Sequence, residues 1–192
     1  MHIIQPLRLC IVTTACLCAC NTEQRRPDSA ASRSAGNSAT SSPSQWVVTP
    51  RGVGPIRAGM TRAEAEAALG GSIAIRSDSD WKDCAYAPDD RLPPGVSVMV
   101  ENGTVARVEI DSGGIATAEG GRIGDTEDAI RQLYRGHVVV TPHKYTDGHY
   151  FTVKPSGAAD SAYRIVFETD GRRVTQYRAG RIPAVDYVEG CG

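Results

Sequence analysis

The chain has 192 residues, 41% of them hydrophobic, and its 21 lysines and arginines nearly balance 22 aspartates and glutamates. A net charge of −1 provides no field that would hold a polyanion, so the composition argues against a nucleic-acid-binding protein. The hydrophobic content is too high for a wholly disordered chain, and a mean hydropathy of −0.27 is too low for a polytopic membrane protein.

Residues 1–19 have the layout of a secretory signal peptide. A polar stretch that ends at Arg8 precedes the apolar run 9–19. This run is shorter than the ~20 residues that span a bilayer as a helix. It ends with Leu17 three positions, and Ala19 one position, before Cys20. The pattern resembles the bacterial lipoprotein signal, which implies that Cys20 is diacylated and that the chain is cleaved before it.

Two alternatives for the N-terminal cysteines stay open. The segment is a plain signal peptide with incidental cysteines, or Cys16, Cys18 and Cys20 form a metal cluster. In the lipoprotein sorting rule, an aspartate after the lipidated cysteine retains the protein in the inner membrane. Because Asn21 stands there, the resemblance implies export to the outer membrane, with the lipid-anchored domain on the periplasmic face.

Residues 20–45 are predicted to be the lipidated cysteine and a disordered tether. The tether is rich in serine and alanine and contains no leucine, isoleucine, valine, methionine or aromatic residue. Such a segment cannot bury enough apolar surface to offset its ordering entropy. We therefore expect it to position the folded part and to carry no chemistry.

The segment 46–192 is long enough for one domain and contains internal similarity. Three pairs of positions match at a constant offset: Gly59 with Gly124, Thr61 with Thr126, and Leu69 with Tyr134. A strand-turn-strand pattern also recurs, with its turn at Asn102–Gly103 and again at Asp170–Gly171. These matches predict two tandem repeats, about 46–112 and about 113–192.

Each repeat is predicted to contain one helix. Thr61 and Glu64 form a T-x-x-E capping box, and Gly70 ends the helix that follows. The second helix is predicted to begin near Asp125 or Thr126. We therefore predict an α+β fold in which two repeats of strand, helix, strand and β-hairpin form an antiparallel sheet with helices packed on one face.

The phrase Gly59-Met60-Thr61 followed by Leu69-Gly70 resembles the opening of the small outer-membrane lipoproteins of the SmpA/OmlA group. It is also similar to the tandem β-lactamase-inhibitor-like fold, which implies a protein-binding sheet face. The sequence 187–191 (YVEGC) resembles the end of a set of uncharacterised proteobacterial lipoproteins.

Two cysteines, Cys84 and Cys191, remain after the signal is removed and Cys20 is lipidated. In an exported compartment an isolated pair indicates a disulfide, which would pin the C-terminal region onto the part of the chain after the first helix. The alternative is a redox or nucleophilic thiol, although neither cysteine lies in a C-x-x-C motif or next to a histidine.

The loop 143–150 (HKYTDGHY) is the candidate partner surface. Tyr145, Tyr150, His143 and His149 provide aromatic and amphipathic side chains that suit contact with a protein or a glycan. Two alternatives stay open: these side chains cover the start of the following strand, or His143, His149 and Asp147 bind a metal ion.

The sequence contains no recognised catalytic motif and no pair of carboxylates that spacing fixes for acid-base chemistry. We therefore expect a non-enzymatic outer-membrane lipoprotein without a cofactor or a metal, which binds or scaffolds another envelope protein. The alternatives are a metal-dependent hydrolase that uses the His143–His149 loop and an inhibitor of a secreted enzyme. The sequence does not indicate an oligomeric state.

Overall fold

A computed structural model of the chain describes residues 46–73, 83–87 and 89–191. The signal peptide, Cys20 and the tether all lie outside these residues. Two short helices are found, α1 (Arg62–Leu69) and α2 (Glu127–Leu133). Neither helix has the length and hydrophobicity that crossing a bilayer requires, and the described ranges contain no other that does. The strands are β1 (Val48–Thr49), β2 (Gly52–Val53), β3 (Ile56–Arg57), β4 (Cys84–Ala87), β5 (Val96–Glu101), β6 (Thr104–Ile110), β7 (Val138–Pro142), β8 (His149–Val153), β9 (Tyr163–Thr169) and β10 (Val174–Arg181).

The strands form two antiparallel sheets. The small sheet has the order β1-β2-β3, and the large sheet has the order β4-β5-β6-β10-β9-β8-β7. Neighbouring strands of the large sheet pair antiparallel throughout, with β10 beside β6 at its centre. The large sheet therefore has β4 at one edge and β7 at the other.

The predicted α+β fold of two tandem repeats is wrong, because strands dominate the described residues and the two helices have only 8 and 7 residues. The two halves also differ in their elements. The small sheet precedes α1, whereas the segment 111–126 before α2 contains no strand. One described strand lies between α1 and its hairpin, but β7 and β8 both lie between α2 and the second hairpin. Matches confined to caps and turns therefore did not extend to whole repeats.

The local signals for caps and turns are confirmed. The hydroxyl of Thr61 accepts the backbone N–H of Glu64, whose carboxylate in turn accepts the backbone N–H of Thr61. Thr126 caps α2 by accepting the N–H of Ala129. Asn102 and Gly103 both have positive φ, of 52° and 77°, as the tight turn between β5 and β6 requires.

The main hydrophobic core lies on one face of the large sheet, here called the front face. The two helices and the small sheet pack against it. Fully buried side chains come from every layer, including Val53 of the small sheet, Ala65 of α1, Ile130 of α2 and Phe167 of β9. The core therefore includes Ala65 of α1 and Ile130 of α2, whereas Leu133 of α2 remains 42% exposed.

A β-bulge changes which residues of β6 face the core. Met99 pairs with Arg107 but Val100 pairs with Val105, so Ala106 is the extra residue. Strict alternation would put Val105 on the same face as Arg107. The bulge instead places Val105 in the front core and leaves Arg107 on the opposite face, here called the back face.

The segment 182–191, here called the strap, crosses the back face. Ala184 of its short 3-10 helix (Ala184–Asp186) packs with Met99 and Ala106 of the central strands. Val185 packs with Tyr150 and Val166 nearer the β7 edge. The disulfide between Cys84 and Cys191 joins the strap to β4, with a Cα to Cα distance of 5.4 Å. The strap thus forms a second cover for the sheet, opposite the helices.

We expect the disulfide to stabilise the fold, because it closes a sequence separation of 107 residues. Its removal by the double variant Cys84→Ser, Cys191→Ser should lower the free energy of unfolding by roughly 2–5 kcal/mol. Urea unfolding of the two proteins in parallel measures the difference. Reductant should destabilise the wild type and leave the double variant unchanged. Two free thiols in the exported wild-type protein would contradict the bridge.

Candidate functional site

Three central strands bring charged side chains to the back face beneath the strap. Arg107 lies on β6, Arg178 on β10 and Glu168 on β9, and all three residues are at least 95% buried. Burial of a charged group is costly unless it is paired and hydrogen-bonded. The contacts of each group therefore show what this face is built to hold.

Arg107 binds the strap through its guanidinium. Its Nη1 donates to the carbonyl oxygens of Ala184 and Tyr187, each at 2.6 Å. Its Nη2 donates to the carboxylate of Glu109 and, at 3.3 Å, to the hydroxyl of Tyr86. Within the described part of the chain its Nε has no hydrogen-bond partner. Strand β10 approaches β6 closely at this point because Gly180 lies opposite Arg107, where an added Cβ would stand 2.5 Å from the Cβ of Arg107.

Arg178 makes the second attachment of the strap. Its Nε donates to the carbonyl oxygen of Val185 at 2.6 Å, and its Nη1 donates to the carboxylate of Glu168. Glu168 also accepts a hydrogen bond from Gln176 Nε2 at 2.6 Å. The buried positive and negative charges are thus neutralised in pairs, and Arg107 Nη1 and Arg178 Nε hold strap carbonyls.

His143 extends this network towards the β7–β8 loop. Its Nδ1 accepts the backbone N–H of Tyr145 at 3.1 Å, so the neutral ring carries its proton on Nε2. Nε2 lies 3.2 Å from Glu168, and the ring stacks on Tyr150 with centroids 4.4 Å apart. Burial raises the pKa of Glu168, but hydrogen bonds from Gln176, Arg178 and His143 outweigh it and hold that pKa below its ordinary value.

Tyr145 lies at the outer rim of the network. Its side chain is 59% exposed, and its hydroxyl donates to the carboxylate of Glu189 in the strap. Lys144 Nζ lies 2.8 Å from the same carboxylate and 4.9 Å from the centroid of the Tyr145 ring. The hydrogen bonds from Lys144 and Tyr145 lower the pKa of Glu189. The exposed ring is therefore held in place by the strap.

A second exposed tyrosine stands on the other side of the strap. Tyr86 of β4 is 38% exposed, and its hydroxyl donates to Glu109 at 2.9 Å. Burial of the hydroxyl and the nearby Glu109 charge raise the pKa of Tyr86. Gly190 of the strap passes so close that an added Cβ would stand 2.1 Å from the Tyr86 hydroxyl. The strap segment 188–190 is thus flanked by Tyr86 and by Tyr145.

A cavity of about 110 Å³ lies between the strap and the sheet. Its walls include Arg107, Glu109, Glu168 and Arg178, with the strap segment 188–190 at one side. The charges on these walls are engaged with one another, as described above. The geometry therefore favours fixation of the strap over binding of a charged ligand.

His149 lies on the opposite face of the sheet. Successive residues of a strand point to opposite faces, and Tyr150, on which His143 stacks, directly follows His149. His149 Nδ1 lies 2.7 Å from Glu127 of α2, whose carboxylate also accepts the Thr169 hydroxyl. Burial raises the pKa of Glu127, but the hydrogen bonds from Thr169 and His149 outweigh it and lower that pKa.

The structure thus brings together three of the four residues of the predicted partner surface: His143, Tyr145 and Tyr150. It separates His149 from them and does not bring the two imidazoles to one site. Within residues 46–73, 83–87 and 89–191, no group of three or more histidine, cysteine, aspartate or glutamate side chains could hold a metal ion. The predicted Cys84–Cys191 pair is bonded and belongs to the same surface, because it anchors the strap beside Tyr86.

Sequence reasoning missed the central residues of the back face. The sequence patterns assigned no role to Arg107, Arg178, Glu109 or Glu168. A signal was present, since Arg107 and Glu109 lie two apart in a strand that is otherwise mostly apolar. Charged residues two positions apart point to the same face of a strand. In a central strand, such a pair indicates a polar site that is covered by another layer of the protein.

No protein-family model and no curated protein sequence matches this chain. Among solved structures, the chain is similar to the crystal structure of the uncharacterized protein yfeY from Escherichia coli. The identity is 14%, and the alignment covers 70% of this chain and 99% of that one. A TM-score of 0.43 is too low for this similarity to indicate a shared fold or function.

We expect Glu168→Gln to destabilise the protein at neutral pH by about 3–5 kcal/mol, because it leaves Arg178 buried without its countercharge. The pKa of Glu168 is lowered in the folded state, so its contribution is complete above its unfolded pKa of 4.5 and is lost as the pH falls through the folded pKa. The difference between the two proteins should therefore shrink on acidification. Urea unfolding at several pH values tests this, with Glu101→Gln as the control. A difference that is the same at pH 7 and in strong acid would contradict it.

Proposed function

We propose that this chain is a non-enzymatic lipoprotein, anchored to the periplasmic face of the outer membrane through Cys20, whose folded part binds another envelope protein. The observation that carries the binding role is the pair of exposed tyrosines, Tyr86 and Tyr145, on either side of the disulfide-linked strap. We call the surface formed by Tyr86, Lys144, Tyr145 and Glu189 the tyrosine surface.

The tyrosine surface is ordered before any partner arrives. The Tyr145 hydroxyl is held by Glu189, and the Tyr86 hydroxyl is held by Glu109. A side chain that is already fixed loses little conformational freedom on binding, so more of its contact energy appears as affinity. Tyrosine is enriched at protein interfaces because a large apolar ring and a polar hydroxyl act together. These properties support recognition of a protein.

The disulfide supports the proposed compartment. Cys84 and Cys191 are within bonding geometry, and structural disulfides form and persist in oxidising environments such as the bacterial periplasm. The lipoprotein-like signal before Cys20 supports the anchor, and the residue that follows, Asn21, supports export to the outer membrane.

The chemistry of the back face supports binding over catalysis. Arg107 and Arg178 are committed to carboxylates and to strap carbonyls. Glu168 is held by three donors, which suits a structural carboxylate better than one that exchanges protons with a substrate.

The tyrosine surface predicts a specific crosslinking pattern in intact cells. A photo-crosslinking phenylalanine derivative at position 145 or 86 should give the same discrete protein adduct. The same derivative at Leu133, which is 42% exposed on α2, should not. Tyr145→Ala should reduce the adduct formed from position 86 by about tenfold, because hot-spot aromatic residues dominate interface energies. Absence of an adduct at both tyrosines, or an identical adduct from position 133, would contradict the binding surface.

The anchor predicts a change of location for Cys20→Ser. Without the acyl chains, which contribute ~0.8 kcal/mol for each buried methylene, the domain should leave the membrane and appear in the soluble periplasmic fraction. Cys18→Ser is the matched control and should still sediment with outer-membrane vesicles. Continued sedimentation of Cys20→Ser with those vesicles would exclude the anchor.

A further inference from the structure

Strand β7 is the outermost strand at one edge of the large sheet, and it forms a regular five-residue ladder with β8. It pairs with β8 from Val138 opposite Val153 to Pro142 opposite His149, without a register shift. Among the strands of residues 46–73, 83–87 and 89–191, none lies beyond β7 in the sheet order. The other edge differs, because β4 has four residues and its first, Cys84, is linked to the strap.

The direction of the β7 backbone groups follows from the hydrogen bonds at its two ends. The N–H of Lys154 donates to the carbonyl of His137 at 2.7 Å, and the N–H of His143 donates to the carbonyl of Gly148 at 2.9 Å. Residues that bond to an antiparallel neighbour alternate along a strand. The backbone groups of Val138 and Val140 therefore point away from β8. Across the described ranges these outward groups have no backbone partner beyond the sheet.

The outer edge of β7 lacks the features with which sheet edges are usually protected. The strand has no charged residue and no bulge, and its proline is the last residue. Its Val139 side chain is 44% exposed. An open, regular, valine-rich edge is a template for one more strand.

Near the N-terminal end of this edge, the carboxylates of Glu119 and Asp160 are already held by Tyr134 and Arg51, so the charges that are left over are basic. Arg135 and Lys154 are exposed at the N-terminal end of β7, and neither has a carboxylate partner within the part of the chain that the structure describes. Antiparallel pairing of two copies would bring this basic end towards Lys144 of the other copy, where Glu189 is already paired with Lys144. Like charges disfavour that arrangement, whereas an acidic segment would satisfy Arg135 and Lys154.

We propose that β7 binds an extended acidic segment of a partner protein as an eighth strand of the large sheet, through the outward backbone groups of Val138 and Val140. This proposal rests on the proposed function as a protein-binding module, and it adds a second contact surface and the chemistry of its ligand. Backbone hydrogen bonds supply the affinity, and Arg135 and Lys154 select for acidic side chains.

Hydrogen exchange of the full-length lipidated protein in detergent micelles tests the proposal. The probe is a short capped peptide of alternating valine and threonine with glutamate at both ends. The peptide should slow exchange in segment 138–142 by about tenfold or more, and added salt should weaken the effect. The same peptide with lysine at both ends, or with N-methylated backbone amides, should give no protection. Equal protection by all three peptides, or none at millimolar acidic peptide, would overturn the proposal.

Two variants test the backbone and the charge requirements separately. Val140→Pro removes an outward N–H without removing a bond to β8, and should abolish protection by the acidic peptide. If that variant does not fold, the double variant Arg135→Glu, Lys154→Glu, at two exposed positions, still tests the proposal. It should reverse the preference of β7 from the acidic to the basic peptide. Arg172→Glu, exposed in the β9–β10 turn, is the control and should retain the preference for the acidic peptide.

Two further measurements separate the possible failures. Sedimentation that shows a dimer with β7 protected in the absence of peptide would identify a second copy as the occupant and overturn the proposal. If the adduct at Tyr145 forms but the acidic peptide leaves β7 unprotected, the edge-strand proposal fails and the binding function stands. If the peptide binds but no adduct forms at either tyrosine, the tyrosine surface fails instead.

Discussion

The attachment of the strap by two buried guanidiniums is the interaction on which the back face depends. The helices α1 and α2 cover the front face of the large sheet, so the other face needs a cover of its own. The strap packs apolar side chains, among them Ala184 and Val185, on this face. Arg107 and Arg178 add a second attachment, because they hold the backbone carbonyls of the strap directly. Glu109 and Glu168 neutralise the two cations and so offset the cost of burying them.

The same attachment explains where the candidate surface lies. The strap turns a sheet face that would be flat into a ridge with an aromatic side chain at each side. Glu189 fixes Tyr145 from the strap, while Gly190 leaves room for Tyr86. The strap therefore contributes both to the stability of the fold and to the tyrosine surface. We expect that loss of the disulfide affects both.

The sequence was sufficient for local structure and insufficient for architecture. Capping at Thr61 and the turn at Asn102–Gly103 depend on a few adjacent residues, so their patterns identify them directly. The prediction of two repeats was wrong because similar caps and turns occur in two halves that differ in their number of strands. The bulge at Ala106 was equally hidden, since it arises from the pairing of β6 with β5 and leaves no mark in the order of apolar residues. For the site, aromatic residues in one loop pointed to His143, Tyr145 and Tyr150, which lie together in the structure. The alternation of side chains along β8 places His149 on the opposite face.

The place of Cys191 in the chain also has a consequence for biosynthesis. It lies 107 residues after its partner and beyond the last strand, so the disulfide can form only after every strand of the large sheet has been made. Until then the back face of the newly made sheet lacks the strap carbonyls that Arg107 and Arg178 bind, and its apolar strip is uncovered. The strap therefore completes the back face only after the strands that it crosses have been made.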